Sequence, residues 1–257
     1  QDRIIDLKIK GNQKTTTKFL KSFLKVKKGA VLDSIQLNKD ISKLRKLPAI
    51  SYAYYQVFKV KENLHTVLFH VEENKTLIPA INIWTTTNKQ TAYKIGLYDF
   101  NFLGKNMTLG GYYQNNGYHS YGLNFKAPYL FSNSSGLAVN FQNWTSEEPL
   151  YFDMGSANYK YNNISFEVLG LYEFDFKNKI AFGVNFFKEK YQYKSGITNA
   201  TIPRALEINK LLYKIVYSYD DLSYSYQYLS GFKNEFYGQM VMSNTDLQDD
   251  FFIAWND

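Results

Sequence analysis

Residues 179–187 read Lys-Ile-Ala-Phe-Gly-Val-Asn-Phe-Phe, so Ile180, Phe182, Val184 and Phe186 alternate with Lys179, Ala181, Gly183 and Asn185. A period of two marks a β-strand with unlike faces. The pattern recurs at Leu137, Val139 and Phe141, at Tyr93, Ile95 and Leu97, and at Leu211, Tyr213, Ile215, Tyr217 and Tyr219. One face is bulky and apolar or aromatic; the other leans toward Gly, Ala, Ser, Asn and Gln. A soluble sandwich also alternates, but its outer face usually carries many charges. A bulky face backed by a small, polar one suits a barrel with a wet lumen and lipid outside, and the pattern favours the barrel over the sandwich. Each spanning strand needs about 9–11 residues, so with turns the region beyond residue 77 accommodates roughly ten to twelve strands. Asn162-Asn163 and Asp220-Asp221 predict tight hairpin turns.

Composition agrees. Tyr (23), Phe (20) and Trp (3) make 18% of the 257 residues, yet mean hydropathy is −0.38. Aromatic richness excludes global disorder. Five prolines and 15 glycines without a period of three exclude collagen-like chains. No apolar run is long enough for a helical membrane span. With no cysteine, disulfide scaffolds and thiolate chemistry are excluded. Gln1 opens without a basic-then-apolar leader, which leaves a cytosolic protein or one whose signal was removed.

Charge and aromatics divide the chain. Residues 1–77 hold 16 Lys/Arg against 7 Asp/Glu and only 7 aromatics; the other 39 aromatics lie beyond, where acids exceed bases by 2. Two domains follow, with a boundary near residues 71–75. The first reads strand, helix, helix, strand, strand. Ile5, Leu7 and Ile9 alternate with polar residues, and Gly11-Asn12 ends the run. Thr17 caps a short helix bearing Phe19, Leu20, Phe23 and Leu24. Asp33 with Gln36 resembles a capping box before the stripe Leu37, Ile41 and Leu44, which Pro48 terminates. Ile50–Val60 and Leu64–Glu72 are strands joined by Lys61-Glu62-Asn63, with Val67, Phe69 and Val71 on one face.

Residues 4–20 (IIDLKIKGNQKTTTKFL), 27–47 (KKGAVLDSIQLNKDISKLRKL), 54–60 (YYQVFKV) and 65–73 (HTVLFHVEE) together resemble a POTRA domain. Residues 96–113 (GLYDFNFLGKNMTLGGYY) and 125–131 (FKAPYLF) resemble the first barrel hairpins of the BamA-like outer-membrane assembly and translocation superfamily. Residues 219–236 (YDDLSYSYQYLSGFKNEF) resemble a later hairpin of that barrel. The order and spacing of these stretches carry more weight than any one of them. Two features depart from the family: there is no Arg-Gly-Phe/Tyr tripeptide, and the sequence ends at Asn256-Asp257 rather than on an aromatic. The resemblance implies a mainly β protein: one small periplasmic α+β POTRA domain (βααββ) over residues 1–76, then antiparallel transmembrane β-barrel strands over 77–257. A barrel of sixteen strands is implied, so residues 77–257 are expected to be its N-terminal part, with a closed barrel of eleven or twelve strands as the less favoured alternative. It also implies a bacterial outer-membrane location, a signal removed before Gln1, and a role in inserting or translocating other proteins. Implied partners are nascent outer-membrane or secreted proteins, accessory proteins, and outer-membrane lipid.

Enzymatic chemistry finds no footing in the sequence. His65 and His70 lie five apart on a strand and face opposite sides, so they cannot share a metal, and His119 sits in a polar turn. No phosphate loop, nucleophile elbow or zincin motif occurs. Glu147-Glu148, Asp220-Asp221 and Asp249-Asp250 read as solvated turns. No enzyme, cofactor or metal is expected. Lysines scattered through residues 8–28 with few aromatics argue against nucleic acid; beneath a barrel, anionic head groups are a simpler partner, and a solvated surface is the plainest reading of each lysine. Strand edges are the functional candidates. In the POTRA arrangement Ser51–Lys59 is an edge strand open to β-augmentation by a client, with Tyr52, Tyr54, Gln56 and Phe58 on one side. The alternative is that these side chains pack on the helices. The first barrel strand, Ile81–Thr86, would form one side of the barrel seam through Ile81, Ile83 and Thr85. A passive pore or structural barrel, and a soluble β-rich binding protein, are the competing readings.

Overall fold

The computed structural model describes residues 1–86, 91–199, 201–225, 228–245 and 249–257; Tyr226 and Gln227, inside the 219–236 stretch, lie outside the described residues. The chain opens with β1 (Arg3–Lys10), α1 (Thr17–Phe23), α2 (Ser34–Arg45), β2 (Ile50–Lys61) and β3 (Leu64–Glu73). These strands form a sheet in the order β1-β3-β2, with β1 parallel and β2 antiparallel to β3. A parallel partner needs a long crossover, which the helix pair supplies. The helices bury Leu20, Phe23, Leu37, Ile41 and Leu44 against Ile4, Leu7, Val67, Phe69 and Val71, a single apolar core.

Local chemistry sets the helix ends, with three corrections to the expectations above. Thr16, not Thr17, caps α1, its hydroxyl accepting from Phe19 N at 3.3 Å. Asp33 caps α2 by accepting from Ile35 N and Gln36 N, but Gln36 does not return the bond; its amide donates to Asp40 Oδ1 at 2.8 Å. In β1 a register shift between Ile4 and Asp6 puts Ile4, fully buried, on the core face instead of Ile5. An irregularity of this kind is set by the neighbouring strand and leaves no trace in a period of two.

Three residues after β3 the second sheet begins: β4 (Leu77–Thr85), β5 (Thr91–Phe102), β6 (Met107–Asn115), β7 (His119–Ala127), β8 (Ser135–Phe152), β9 (Gly155–Glu173), β10 (Asn178–Gly196) and β11 (Ala205–Asp220). After a short hairpin of β12 (Ser223–Ser225) and β13 (Tyr228–Ser230) come β14 (Lys233–Ser243) and β15 (Phe251–Asn256). Ten of these strands form one antiparallel sheet, in the order β15-β14-β11-β10-β9-β8-β7-β6-β5-β4. Strand β4 starts four residues before the expected Ile81. Its extra residues pair with β5, as Leu77 does with Asp99.

Register places the alternating residues on one outward face. Ile81 pairs with Ile95 and Ile95 with Tyr113, while Phe141, Phe166 and Phe186 follow one another across β8, β9 and β10. Phe182, Ile215 and Gly238 then carry the face to β14. The inward face is polar. Asn140 Nδ2 donates to Glu167 Oε1 at 2.8 Å, Lys214 Nζ reaches Glu167 Oε2 at 3.1 Å, and Lys210 pairs with Glu189 at 2.7 Å. The curled sheet encloses an open trough of about 1040 Å³ lined by Tyr98, Asn140, Tyr161, Ser165, Glu167 and Asn185.

The expected turn at Asn162-Asn163 is overturned. Both residues lie inside β9, and the turn is at Asp153-Met154. Asn162 Nδ2 donates to Asn143 Oδ1 (2.7 Å) and Thr145 Oγ1 (2.9 Å) across the ladder, so its amide is satisfied by residues a strand away. Glu147-Glu148 likewise lies within β8 rather than a turn. Asp220 does end β11, but no tight two-residue turn follows it.

Candidate functional site

The two sheets joined by the short linker at residues 74–76 each present an open edge among the described strands. The first is β2, which pairs only with β3 among the described strands. Arg45, in the last turn of α2, donates its Nε to the Ala53 carbonyl at 2.8 Å and lays its guanidinium 4.4 Å from the Tyr52 ring centroid. That carbonyl therefore points to the open side of β2. The alternation of an antiparallel ladder puts the N–H and C=O of Tyr55, Val57 and Lys59 there as well.

Tyr52, Tyr54, Gln56 and Phe58 share the face that looks away from the helices, since Ala53 and Tyr55 belong to the core side. Tyr54 stacks on His70 with centroids 4.6 Å apart, and His70 Nε2 lies 3.1 Å from Gln56 Oε1. Phe58 is half exposed. His65, on the opposite parity, lies near Asp2 at 3.9 Å, so the two histidines do not meet. Among the described residues no cluster of His, Asp or Glu could hold a metal.

The second edge is β4. Ile81 and Ile83 are 72% and 68% exposed, more open than any residue of the POTRA-side core, and Thr85 pairs with Thr91 at the far end. No described strand lies beyond β4, and β4 and β15 do not pair with each other. The β2 face residues and the β4 residues are not brought together into one pocket. They form two separate edges on one continuous run of chain.

Sequence reasoning missed a third feature, the joint between the two sheets. Lys14 Nζ pairs with Asp99 Oδ1 at 2.6 Å and touches Thr76 Oγ1 at 3.1 Å. Asn101 Nδ2 donates to Thr15 Oγ1 (2.9 Å), Thr16 N to Gly104 O (3.0 Å), and Ala49 N to Asn106 Oδ1 (3.3 Å). Gly104, at φ +64, is required here, because a Cβ would sit 2.1 Å from the Lys14 carbonyl. Phe23 packs edge-on to Tyr129 at 4.5 Å. Lys46 Nζ donates to Phe176 O (3.2 Å) and to the carbonyl and carboxylate of Asp220 (3.3 Å to Oδ1), with little of either side chain exposed. One α+β body thus grips four successive turns of the sheet. Lys46 and Asp220 are 174 positions apart, so no local pattern could have shown the pair.

Glu73 holds the loop that reaches the joint. Its carboxylate accepts from Thr15 N at 2.7 Å and Lys14 N at 2.9 Å. Burial pushes the Glu73 carboxyl up, but the bonds from the Thr15 hydroxyl and the N–H groups of Lys14, Thr15 and Gln13 outweigh it and hold it below its ordinary value.

This arrangement, a βααββ module leading into a curled antiparallel sheet with an apolar outer face, defines a POTRA-plus-barrel architecture. Residues 3–74 match the POTRA family, described as a surface antigen variable number repeat. Over 94% of its length the chain superposes on BamA from Haemophilus ducreyi lacking POTRA domains 1–3, with a TM-score of 0.62 and 16% identity, covering 48% of that chain. CdiB from Escherichia coli gives a TM-score of 0.55 and 7% identity over 94% of this chain and 45% of its own. No curated protein matches by sequence. Residues 3–74 thus match the POTRA family, the strands that follow share the fold of the BamA and CdiB barrels, and the chain spans about half the length of the solved chains it matches.

Proposed function

We propose that the protein sits in a bacterial outer membrane, with residues 1–76 in the periplasm, and assists insertion or translocation of client proteins without bond-making chemistry. The observation that supports this reading is a pair of sheet edges, β2 in the first sheet and β4 in the second, beyond which no described strand pairs. An extended client segment meeting β2 satisfies the backbone groups of Tyr55, Val57 and Lys59, with Tyr54, Gln56 and Phe58 offering side-chain contacts. A client strand reaching β4 pairs with backbone beside Ile81, Ile83 and Thr85 while its apolar side chains join the outward face. Nascent outer-membrane or secreted proteins and periplasmic accessory proteins are the partners of this scheme, and nucleic acid is not.

Membrane placement follows from the size of the apolar face. Soluble monomers rarely expose contiguous apolar patches beyond a few hundred Å². Here Ile81, Ile95, Leu123, Phe166, Phe182, Phe186 and Phe252, on six of the ten strands, are all exposed. Lipid accounts for that cost.

The test is a covalent lock. Cross-linking β4 to the strand that pairs with it in the membrane-inserted protein should stop client insertion, and reduction should restore it. Unchanged insertion by the locked protein would sink the seam reading and leave a passive barrel whose POTRA only docks a partner. Single-channel conductance with normal client assembly would favour that passive pore.

A further inference from the structure

Residues 12–32 carry six lysines and no Asp or Glu. Lys14 is taken by Asp99. The other five, Lys18, Lys21, Lys25, Lys27 and Lys28, are all exposed, and none forms an ion pair among the described residues. Among the described residues the only bond from their ammonium groups is Lys27 Nζ to the Lys21 carbonyl at 3.2 Å. Water can solvate each of these lysines singly, but five unneutralised charges on one short segment repel one another, and an anionic surface relieves that repulsion.

The fold decides where that segment sits. Asn133 Nδ2 donates to Ser22 O at 2.6 Å, and Tyr129 packs against both Phe19 (6.2 Å) and Phe23 (4.5 Å). These contacts clamp α1 to the turn joining β7 and β8, where the apolar outer face ends. Leu130 and Phe131 of the same turn are 42% and 69% exposed. An exposed aromatic and a leucine on the turn to which the lysine-bearing α1 is clamped have the makeup of a surface that lies on a membrane. The aromatic side chains of α1 are already spent on Tyr129 and the core, so no stacking platform is left for a nucleic acid.

We propose that α1, residues 24–28 and the Leu130-Phe131 turn form one docking surface for anionic lipid head groups in the periplasmic leaflet. It rests on the membrane reading given above and adds a second role for that bilayer: it holds the POTRA against the leaflet next to the barrel. Charge complementarity and continuity with the lipid-facing sheet both point to lipid, rather than an acidic protein, as the occupant.

The absence of cysteine makes the test clean. The full chain is reconstituted with a fluorophore at Gln13→Cys, beside the lysines, or at Glu62→Cys, at the far tip of the β2–β3 hairpin. Quenching by head-group-labelled lipid is compared in phosphatidylcholine vesicles with and without phosphatidylglycerol. The Gln13 label should be quenched more in anionic vesicles, the difference should vanish in high salt, and the Glu62 label should not respond. Replacing all five exposed lysines by Gln should return the Gln13 signal to the zwitterionic value. Each single replacement should lower the docked-to-free ratio about fivefold. An unchanged heat-dependent gel shift shows that the variants remain folded. Equal quenching in both vesicle types overturns the proposal, as does salt-sensitive binding of an acidic polypeptide with no response to lipid. If the chain does not float with vesicles at all, the membrane reading falls first; if it floats and the label is indifferent, only the docking surface falls.

Discussion

At the scale of single residues, the joint separates two kinds of ion pair. Lys46 and Asp220 have side chains only 11% and 14% exposed, whereas Lys14 is 43% exposed beside Asp99. Removing one member of a buried pair strands the other, at a cost of about 3–5 kcal/mol, while an exposed pair contributes about 0–1 kcal/mol. Lys46→Ala should therefore lower the denaturant midpoint far more than Lys14→Ala, as followed by unfolding in detergent micelles; equal effects would mean that Lys46 is solvated in solution. Glu73 adds a pH dependence whose sign is fixed. Its folded pKa lies below the ordinary 4.5, so its contribution is present above that value and is lost as pH falls through the lower folded value. Hydrogen exchange at the Lys14 and Thr15 amides should accelerate on acidification below about 4.5, relative to the intrinsic exchange rate. Glu73→Gln should raise exchange there at neutral pH and flatten the acid response.

Elements show why some of the fold was legible and some was not. The stripe Leu37, Ile41 and Leu44 and the face Val67, Phe69 and Val71 declared themselves by period, because each element buries one side of itself against the same core. The outward face of the large sheet was readable from its period of two as well, although its bulky side is exposed and packs on no core. Asn162-Asn163 misled because a dipeptide signals its local preference, while the Asn162 amide is satisfied from β8 and the Asn163 amide by Tyr161 of the same strand. The joint was invisible, since Asn101 meets Thr15 and Lys46 meets Asp220 only through the fold. For the β2 edge, Tyr52, Tyr54, Gln56 and Phe58 could be placed on one face from sequence, but not the capping of Ala53 by Arg45, which ties up the start of the strand. That cap makes a position-specific prediction. Val57→Pro removes an N–H from the open side and should abolish capture of an extended client peptide while leaving the POTRA thermal transition nearly unchanged. Phe58→Pro removes an N–H from the β3 side and should lower the transition itself. If both variants bind normally, strand addition at β2 is wrong.

At the scale of the whole molecule, the proposed membrane placement makes the large sheet one with two solvents, and it is open to a direct test. Phe166 sits at the middle of the outward face between Phe141 and Phe186, and its neighbour Ser165 points the other way, into the trough with Gln142 and Phe187. In a soluble sandwich the bulky side is the interior and the small polar side meets water, so a charge at 166 would be buried and one at 165 would be harmless. In a barrel Phe166 meets hydrocarbon and Ser165 meets luminal water. Position 165 is thus mild in both cases, and 166 costly in both, but the cost has a different cause. Against lipid, Phe166→Arg should cost about 2–4 kcal/mol near the bilayer midplane and less toward the interfaces. A scan of arginine along outward positions of β9, from Phe166 through Val168 to Tyr172, should therefore give a penalty that peaks at mid-strand and fades toward the POTRA side, and it should deepen in vesicles of longer-chain lipid. A protein core has no reason to follow bilayer thickness. Folding free energies measured in vesicles of two chain lengths decide between them: a profile that ignores chain length would remove the membrane from this protein's account, and with it the client-insertion role built on β4.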